Sequence, residues 1–280
     1  AAAPPAAAVP GLRLVTSARN PALKLARALE AKKVRRERRL LVAEGEDLVT
    51  AALDHGVRPQ VLLVDAERAG EVDALLRRTR EVPERYAVPP SLMAGVSSLA
   101  AHPRLVAVVP QPPHRSFGDV ALPPAALGLW LAGVADPGNV GTLVRSAAAL
   151  GADWLALGPG SADPFHPRAV RGAMGATFAL PLLEGVRAED LATREGLRIV
   201  AAVAHGGVPP WQADLASPSV LALGAERTGL AEALEVLAAR FPVVRVTIPQ
   251  SPGTESLNVA AAGAALMAEA LRQRHVRAAG

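Results

Sequence analysis

Three short stretches of this chain combine glycine with side chains that can handle protons, hydroxyls or phosphates. The first runs from Asp136 to Arg145 (DPGNVGTLVR) and sets the Asn139 amide six residues before the Arg145 guanidinium, about one and two-thirds turns apart if the stretch is helical. Gly138 and Gly141 let the backbone turn tightly and approach a ligand. Asn139 can cap a helix or bond a ligand, and Arg145 can clamp an anion or lie solvated on a helix surface. The second stretch, Gly224 to Leu230 (GAERTGL), sets the Glu226 carboxylate between two glycines. That carboxylate can accept from a bound hydroxyl or orient an arginine, and the glycines leave space for a flat ring against the backbone. An ordinary strand-to-helix turn with an exposed Glu226 reads the same. The third, Ile248 to Asn258 (IPQSPGTESLN), brings Ser256 and Asn258 to the start of a helix. Free N–H groups at such a start favour anionic or electron-rich partners. Ser256 can equally serve there as an N-cap alone, with Asn258 in the first turn.

Each stretch follows an apolar run of strand length. Runs at 127–134, 154–157, 199–204, 220–223 and 243–248 are apolar almost throughout, which predicts strands buried on both faces and hence a mostly parallel sheet. Helices are expected between them at 140–150, 168–174, 188–195 and 230–240, with a last one over 257–274 capped by Ser256. Ligands of such sheets bind in the loops at the carboxyl ends of the strands, where all three stretches fall. Residues 260–265 contain only Ala and Gly, which permits close helix approach.

Upstream, a basic helix over 21–39, strands at 40–43, 61–64 and 105–109, and helices at 46–53 and 72–78 predict a smaller α/β unit. The proline-rich stretch 110–124 reads as a linker. The expected organisation is a disordered Ala/Pro tail over 1–12, a domain over 13–110, a linker over 111–124 and a second domain over 125–280.

Charge is unevenly placed. Between Arg13 and Arg39 there are ten Lys or Arg and two acidic residues, a net +8, so the remainder of a chain whose total is +4 carries −4. A concentrated basic segment on a near-neutral body suits a polyanion, although the preference for Arg and Ala also fits coding bias. Absence of cysteine excludes disulfides, thiol nucleophiles and thiolate metal sites. No apolar run reaches the roughly 18 residues that span a bilayer, and the first ten residues lack the basic leader and apolar core of a signal peptide. The expected compartment is the cytoplasm.

Together the three stretches resemble the motif set of the SpoU/TrmH family of SPOUT RNA ribose methyltransferases: Asn139-x-Gly141-x-x-x-Arg145, then Gly224-x-Glu226-x-x-Gly229-Leu230, then Ile248-Pro249 with Ser256-Leu257-Asn258. The segment Pro167 to Gly175 resembles the family's connecting stretch, and Thr16 to Pro21 with Val42 to Gly45 its accessory RNA-binding domain. Gln250 and Pro252 depart from the family's usual Ile-Pro-Met-x-Gly. The resemblance implies a SPOUT-type α/β knot, a mostly parallel sheet with a C-terminal trefoil knot, preceded by a small L30e-like α/β RNA-binding domain. It implies a homodimer and S-adenosylmethionine as cofactor, with no metal. Leu223, Gly224, Gly229, Ile248, Ser256 and Leu257 are then the cofactor contacts, and Asn139, Arg145, Glu226, Ser256 and Asn258 the catalytic set. Lys32, Lys33, Arg35, Arg36, Arg38 and Arg39 are expected to meet RNA phosphates.

The implied reaction moves a methyl group from a sulfonium to a ribose 2′-oxygen. Arg145 either stabilises the developing alkoxide as a cation or, with a depressed pKa, takes the proton; the strong basicity of guanidinium favours the first. Ribosomal RNA of the large subunit (23S) is the first expectation for the substrate, then transfer RNA, then ribosomal RNA modified for antibiotic resistance. A catalytically inactive RNA-binding protein is the rival from another class. A dinucleotide oxidoreductase is disfavoured because Gly158-Pro159-Gly160 does not complete G-x-G-x-x-G, and no G-x-S-x-G marks a hydrolase.

Overall fold

The computed structural model describes residues 10–97, 103–120, 123, 126–191, 193, 196–225, 229–253 and 256–279. The chain divides into two compact units, one of residues 1–112 with 165–178, the other of 113–164 with 179–280. Among the described residues no helix is long and apolar enough to cross a membrane.

The first unit holds strands β1 (Arg13–Leu14), β2 (Leu40–Glu44), β3 (Val61–Asp65), β4 (Glu84–Val88) and β5 (Leu105–Pro110) in the order β1-β4-β3-β5-β2. Its sheet is mixed: β1, β4 and β3 run parallel, whereas β5 is antiparallel to both β3 and β2. Helices α1 (Pro21–Ala28), α2 (Lys32–Arg38), α3 (Glu46–Asp54), α4 (Asp73–Arg78) and α5 (Pro90–Met93) accompany it. Leu23, Leu29, Leu63 and Met93 share one core, where burial of each side chain contributes about 2 kcal/mol.

The single basic helix expected over 21–39 is instead two helices, although no Pro or Gly interrupts residues 29–31. The break has a tertiary cause. Arg35 is buried, and its Nη1 donates to the carbonyls of Leu29 at 2.6 Å and Glu30 at 2.7 Å, the orphan acceptors at the end of α1. This corrects the expectation that Arg35 faces phosphate: its guanidinium is used up inside the fold. Lys32, Lys33, Arg36 and Arg38 are exposed, and half-buried Arg39 donates to the Pro112 carbonyl at 3.3 Å. Arg35→Met should lower stability by about 3 kcal/mol, because the buried Leu29 carbonyl and the part-buried Glu30 carbonyl lose a charged donor. Urea unfolding measures this, and an unchanged midpoint would show that the break does not depend on Arg35.

The second unit is built on β6 (Leu127–Ala132), β7 (Trp154–Leu157), β8 (Leu182–Glu184), β9 (Arg198–Ala202), β10 (Ser219–Gly224) and β11 (Val243–Val246), in the order β11-β9-β10-β6-β7-β8. Every pairing is parallel. Of helices α6 (Pro137–Ala149), α7 (Pro167–Ala173), α8 (Ala176–Ala179), α9 (Ala188–Leu191), α10 (Ala231–Ala238) and α11 (Val259–Ala279), the short α7 and all but the last residue of α8 group with the first unit. There Arg171 Nη1 meets the buried Glu44 carboxylate at 3.1 Å.

The sheet is packed on both faces, as its apolar strands predict. On one, Trp130, Trp154, Ala156 and Ala222 join Leu230, Leu234 and Leu237 from α10 and its preceding residue. Gly128 has no room for a side chain, since a Cβ there would lie 2.0 Å from the Trp154 ring. On the opposite face α11 lies against α6 and β10. The small-residue run is used here within the chain: a Cβ on Gly263 would come within 2.5 Å of Leu143 and 2.7 Å of Leu223. The far end of α11 is fastened by Arg274, which donates to the carbonyls of Leu215, Ala126 and Ser217. One turn earlier, the Arg272 guanidinium beside it holds the Glu269 carboxyl at about 2.

The proline-rich stretch is more than a tether. Ser116 and Asp119 form a capping box around a short 3-10 helix, Phe117–Asp119. Phe117 is buried edge-on against Trp154, with ring centroids 5.3 Å apart. Hydrophobic burial of one aromatic ring thus outweighs the break-forming tendency of its proline neighbours.

Candidate functional site

The loops that follow β9, β10 and β11 converge at the carboxyl ends of their strands, where parallel sheets present ligand sites. They enclose a cavity of about 410 Å³. Leu223, Gly224, Gly229, Ile248, Ser256 and Leu257, the six expected cofactor contacts, all line it. Asn258 lines it as well, while Asn139 and Arg145 stand outside the lining.

Backbone geometry explains why glycine stands at 224. Gly229 N–H donates to the Ala225 carbonyl at 2.9 Å, folding the loop back on the strand end, and Gly229 has φ +61°. A Cβ on Gly224 would sit 2.3 Å from the Gly229 carbonyl carbon and 2.8 Å from the Leu230 nitrogen. Glu226 lies outside the described residues.

The loop after β9 is stapled to that after β11 by Thr247. Its hydroxyl donates to the Val203 carbonyl at 3.1 Å and accepts from Gly207 N–H at 2.9 Å. This brings Ala202, Val203 and Ala204 into the cavity wall. Sequence reasoning missed them, since Ala and Val carry no chemical signature and present only backbone polar groups.

The third stretch is organised by Asn258 rather than Ser256. Helix α11 starts at Val259, and the Asn258 Oδ1 accepts from Ala260 N–H at 2.9 Å and Ala261 N–H at 3.3 Å, which makes it the N-cap. This corrects the cap expected at Ser256, which is exposed at the cavity rim. The other end of the same amide donates to Asn139 Oδ1 at 3.1 Å. One side chain thus starts α11 and ties the third stretch to the first.

In the first stretch the cap is Asp136, whose carboxylate accepts from Asn139 N–H at 2.8 Å, with Pro137 at the first helical position. Gly138 and Gly141 lie within α6 and have no positive φ; the tight turn expected of them is made upstream by Gly133, with φ +79°. That turn is held by the Ser161 hydroxyl, which accepts from Gly133 N–H at 3.1 Å and donates to the Leu131 carbonyl at 2.8 Å. Arg145 is exposed on α6 and makes no hydrogen bond or ion pair among the described residues. Its cation is therefore open to an anionic partner.

Chemically, the site pairs an apolar cavity walled by Leu223, Ile248, Leu257 and Val259 with an amide network leading to a helix that carries a free cation. Leu257 stays 40% exposed, leaving an apolar surface that a flat ligand can cover. Among the described residues no group of His, Cys, Asp and Glu could hold a metal ion.

Comparison with known proteins gives matches over both units. Residues 126–268 match the SpoU rRNA Methylase family, and residues 20–107 match the MRM3-like substrate binding domain. An uncharacterized tRNA/rRNA methyltransferase of Synechocystis sp. is 30% identical, covering 93% of this chain and 94% of that protein. The 23S rRNA (uridine(2479)-2′-O)-methyltransferase of Streptomyces viridochromogenes is 30% identical over 81% of this chain and 80% of its own. Among solved structures, the AdoMet-bound rRNA methyltransferase from Sinorhizobium meliloti superposes with a TM-score of 0.80 at 30% identity, covering 94% of this chain and 98% of that one.

Proposed function

The chain belongs to the SpoU rRNA methylase family, and from that premise we propose that it transfers a methyl group from S-adenosylmethionine to a ribose 2′-hydroxyl of 23S ribosomal RNA. The observation that carries the reading is the convergence of Leu223, Gly224, Gly229, Ile248, Ser256 and Leu257 on one cavity, tied through Asn258 and Asn139 to the helix of Arg145.

The residues present fit the cofactor. The cavity lies within the range of small-molecule sites, about 300–1,000 Å³, and its apolar walls suit a flat purine. Gly224 lets the Gly229 backbone pack against the strand end and so shapes the cavity wall, and a buried acceptor, Gln250 Oε1, has no protein partner. When bound, the cofactor supplies a methyl group activated by its sulfonium. The protein's part is to hold the acceptor sugar in line and to favour its deprotonated form, and positioning of this kind accounts for much of a displacement's acceleration. Arg145 grips a backbone phosphate and, as a cation, stabilises negative charge growing on the 2′-oxygen. Asn139, fixed by Asn258, orients the sugar. Ser256 at the rim bonds the substrate, and Glu226 steadies the second loop or Arg145.

Around this centre the second unit is threaded as a C-terminal trefoil knot, a reading that the fold likeness to the Sinorhizobium meliloti enzyme supports. The chain works as a cytoplasmic homodimer through this unit. The first unit, which we read as L30e-like and which matches the MRM3-like substrate binding domain, binds RNA; Lys32, Lys33, Arg36 and Arg38 meet phosphates and give affinity without sequence choice.

Incubating the purified protein with tritiated S-adenosylmethionine and 23S rRNA transcripts should label a single ribose, mapped by its resistance to alkaline hydrolysis. Cofactor affinity should be roughly micromolar, about −8 kcal/mol. No cofactor binding up to millimolar concentration would end the assignment, and label found on transfer RNA alone would reassign the substrate.

A further inference from the structure

Strand β11 ends its sheet, and among the described residues no further strand lies along its outer edge. The chain that leaves β9 closes that edge. Val203 N–H donates to the Val246 carbonyl at 2.9 Å, continuing the ladder between β9 and β11. Val208 then meets β11 again in a parallel bridge with Val246. Its N–H donates to the Arg245 carbonyl and its own carbonyl accepts from Thr247 N–H, both at 3.0 Å. Adjacent residues of a strand turn their backbone groups to opposite sides, so Val208 covers the side that β9 leaves open. Residues 203–208 therefore cross the carboxyl end of β11 as a strap.

One side chain holds the crossing. The Thr247 hydroxyl donates to the Val203 carbonyl at 3.1 Å and accepts from Gly207 N–H at 2.9 Å, a double role open to a hydroxyl. The strap lies close: a Cβ on Gly207 would come 2.7 Å from the Thr247 nitrogen and the Val246 carbonyl carbon. Both partners of the crossing reach the cavity. Val203 and Ala204 line it from the strap, and Val246, Ile248 and Gln250 from β11 and its continuation, while Thr247 stands outside the lining. We propose that Thr247 is a positioning residue for the cofactor, its hydroxyl fixing the spacing of these two walls before the ligand arrives. The inference rests on the cavity being the S-adenosylmethionine site. Without the hydroxyl, the Val203 carbonyl and Gly207 N–H lose their partner. The strap is then displaced in part of the molecules, and apparent affinity falls with the fraction left competent. Arg145 lies outside the lining, so transfer from bound cofactor is left as it was.

The test titrates S-adenosylhomocysteine into the full chain and follows methyl transfer over a range of S-adenosylmethionine concentrations. Thr247→Val keeps the branched shape and drops the hydroxyl; Kd and the cofactor KM should rise about tenfold, with kcat within about twofold of the parent. Thr247→Ser keeps the hydroxyl and should bind within about twofold of the parent, which separates the two hydrogen bonds from methyl packing. In the unliganded parent, the Gly207 amide should exchange its hydrogen more slowly than the exposed His205 amide, a measurement that needs no variant. Parent-like binding by Thr247→Val overturns the proposal. So does a fall in kcat at unchanged KM, a serine variant as weak as the valine one, or a Gly207 amide that exchanges as freely as its neighbour. Should Thr247→Val not fold, the serine variant and the exchange rate decide. A parent protein that binds no S-adenosylhomocysteine overturns the cofactor reading itself, and this inference with it.

Discussion

Replacing Arg145 with alanine will slow methyl transfer by about a thousandfold while leaving S-adenosylmethionine binding within about twofold of the parent, because loss of a preorganised charge at a developing oxyanion costs about 10²–10³ in rate. The two halves of this result have separate causes. Arg145 lines no part of the cavity and is exposed on α6 without a bond among the described residues, so its removal disturbs neither the fold nor the cofactor walls. What it removes, on the proposed mechanism, is the cation that faces the acceptor. Arg145→Lys keeps the charge and loses the planar fork, so it should recover only part of the rate. Single-turnover transfer of a tritiated methyl group measures the chemical step, and titration calorimetry measures binding. Turnover within tenfold of the parent would remove Arg145 from the mechanism, whatever the binding result.

The second large effect is expected at Gly224. An alanine there brings its Cβ to 2.3 Å from the Gly229 carbonyl carbon, 2.5 Å from its oxygen and 2.8 Å from the Leu230 nitrogen. All three are backbone atoms, so no side-chain rotation relieves them, and Gly224, Ala225 and Gly229 all line the cavity. Cofactor affinity should fall by at least about a hundredfold, with about 2 kcal/mol lost in stability, as overpacking typically costs. Gly263→Ala is the control. Its Cβ would press on the side chains of Leu143 and Leu223, at 2.5 and 2.7 Å, and not on backbone, so the loss of affinity should be smaller than at Gly224. If the two variants bind the cofactor alike, close approach at Gly224 is not what shapes the site.

What could be read in advance followed from local rules. Strands buried on both faces announced themselves as unbroken apolar runs, and the resulting parallel sheet placed three loops at one edge. The gathering of Leu223, Ile248 and Leu257 follows from that placement. What could not be read was decided by contacts far apart in sequence. Nothing near Leu29 signals a helix break, because the group that satisfies its carbonyl is Arg35, a residue with the look of a solvated surface charge. β4 (Glu84–Val88) mixes charged and apolar residues and gives no clear period, and β8 is only three residues long. Ser256 and Asn258 are both good caps two residues apart. The choice fell to Asn258, which caps with its oxygen while its amide nitrogen bonds Asn139. Thr247, which joins two loops through one hydroxyl, looks in the sequence like any threonine closing a strand.

The Asn139–Asn258 bond spans 119 positions, and this has a consequence for when the protein becomes competent. During synthesis, the first unit and the helix bearing Arg145 leave the ribosome long before Asn258 is made. An unfinished chain can therefore hold the basic segment but not the Asn139–Asn258 bond. Pairing of distant strands is slow, since the entropy of closing long loops must be overcome before contacts repay it. On the proposed function, methyl transfer then awaits the docking of the last helix, and a polypeptide cut short of α11 should be inert.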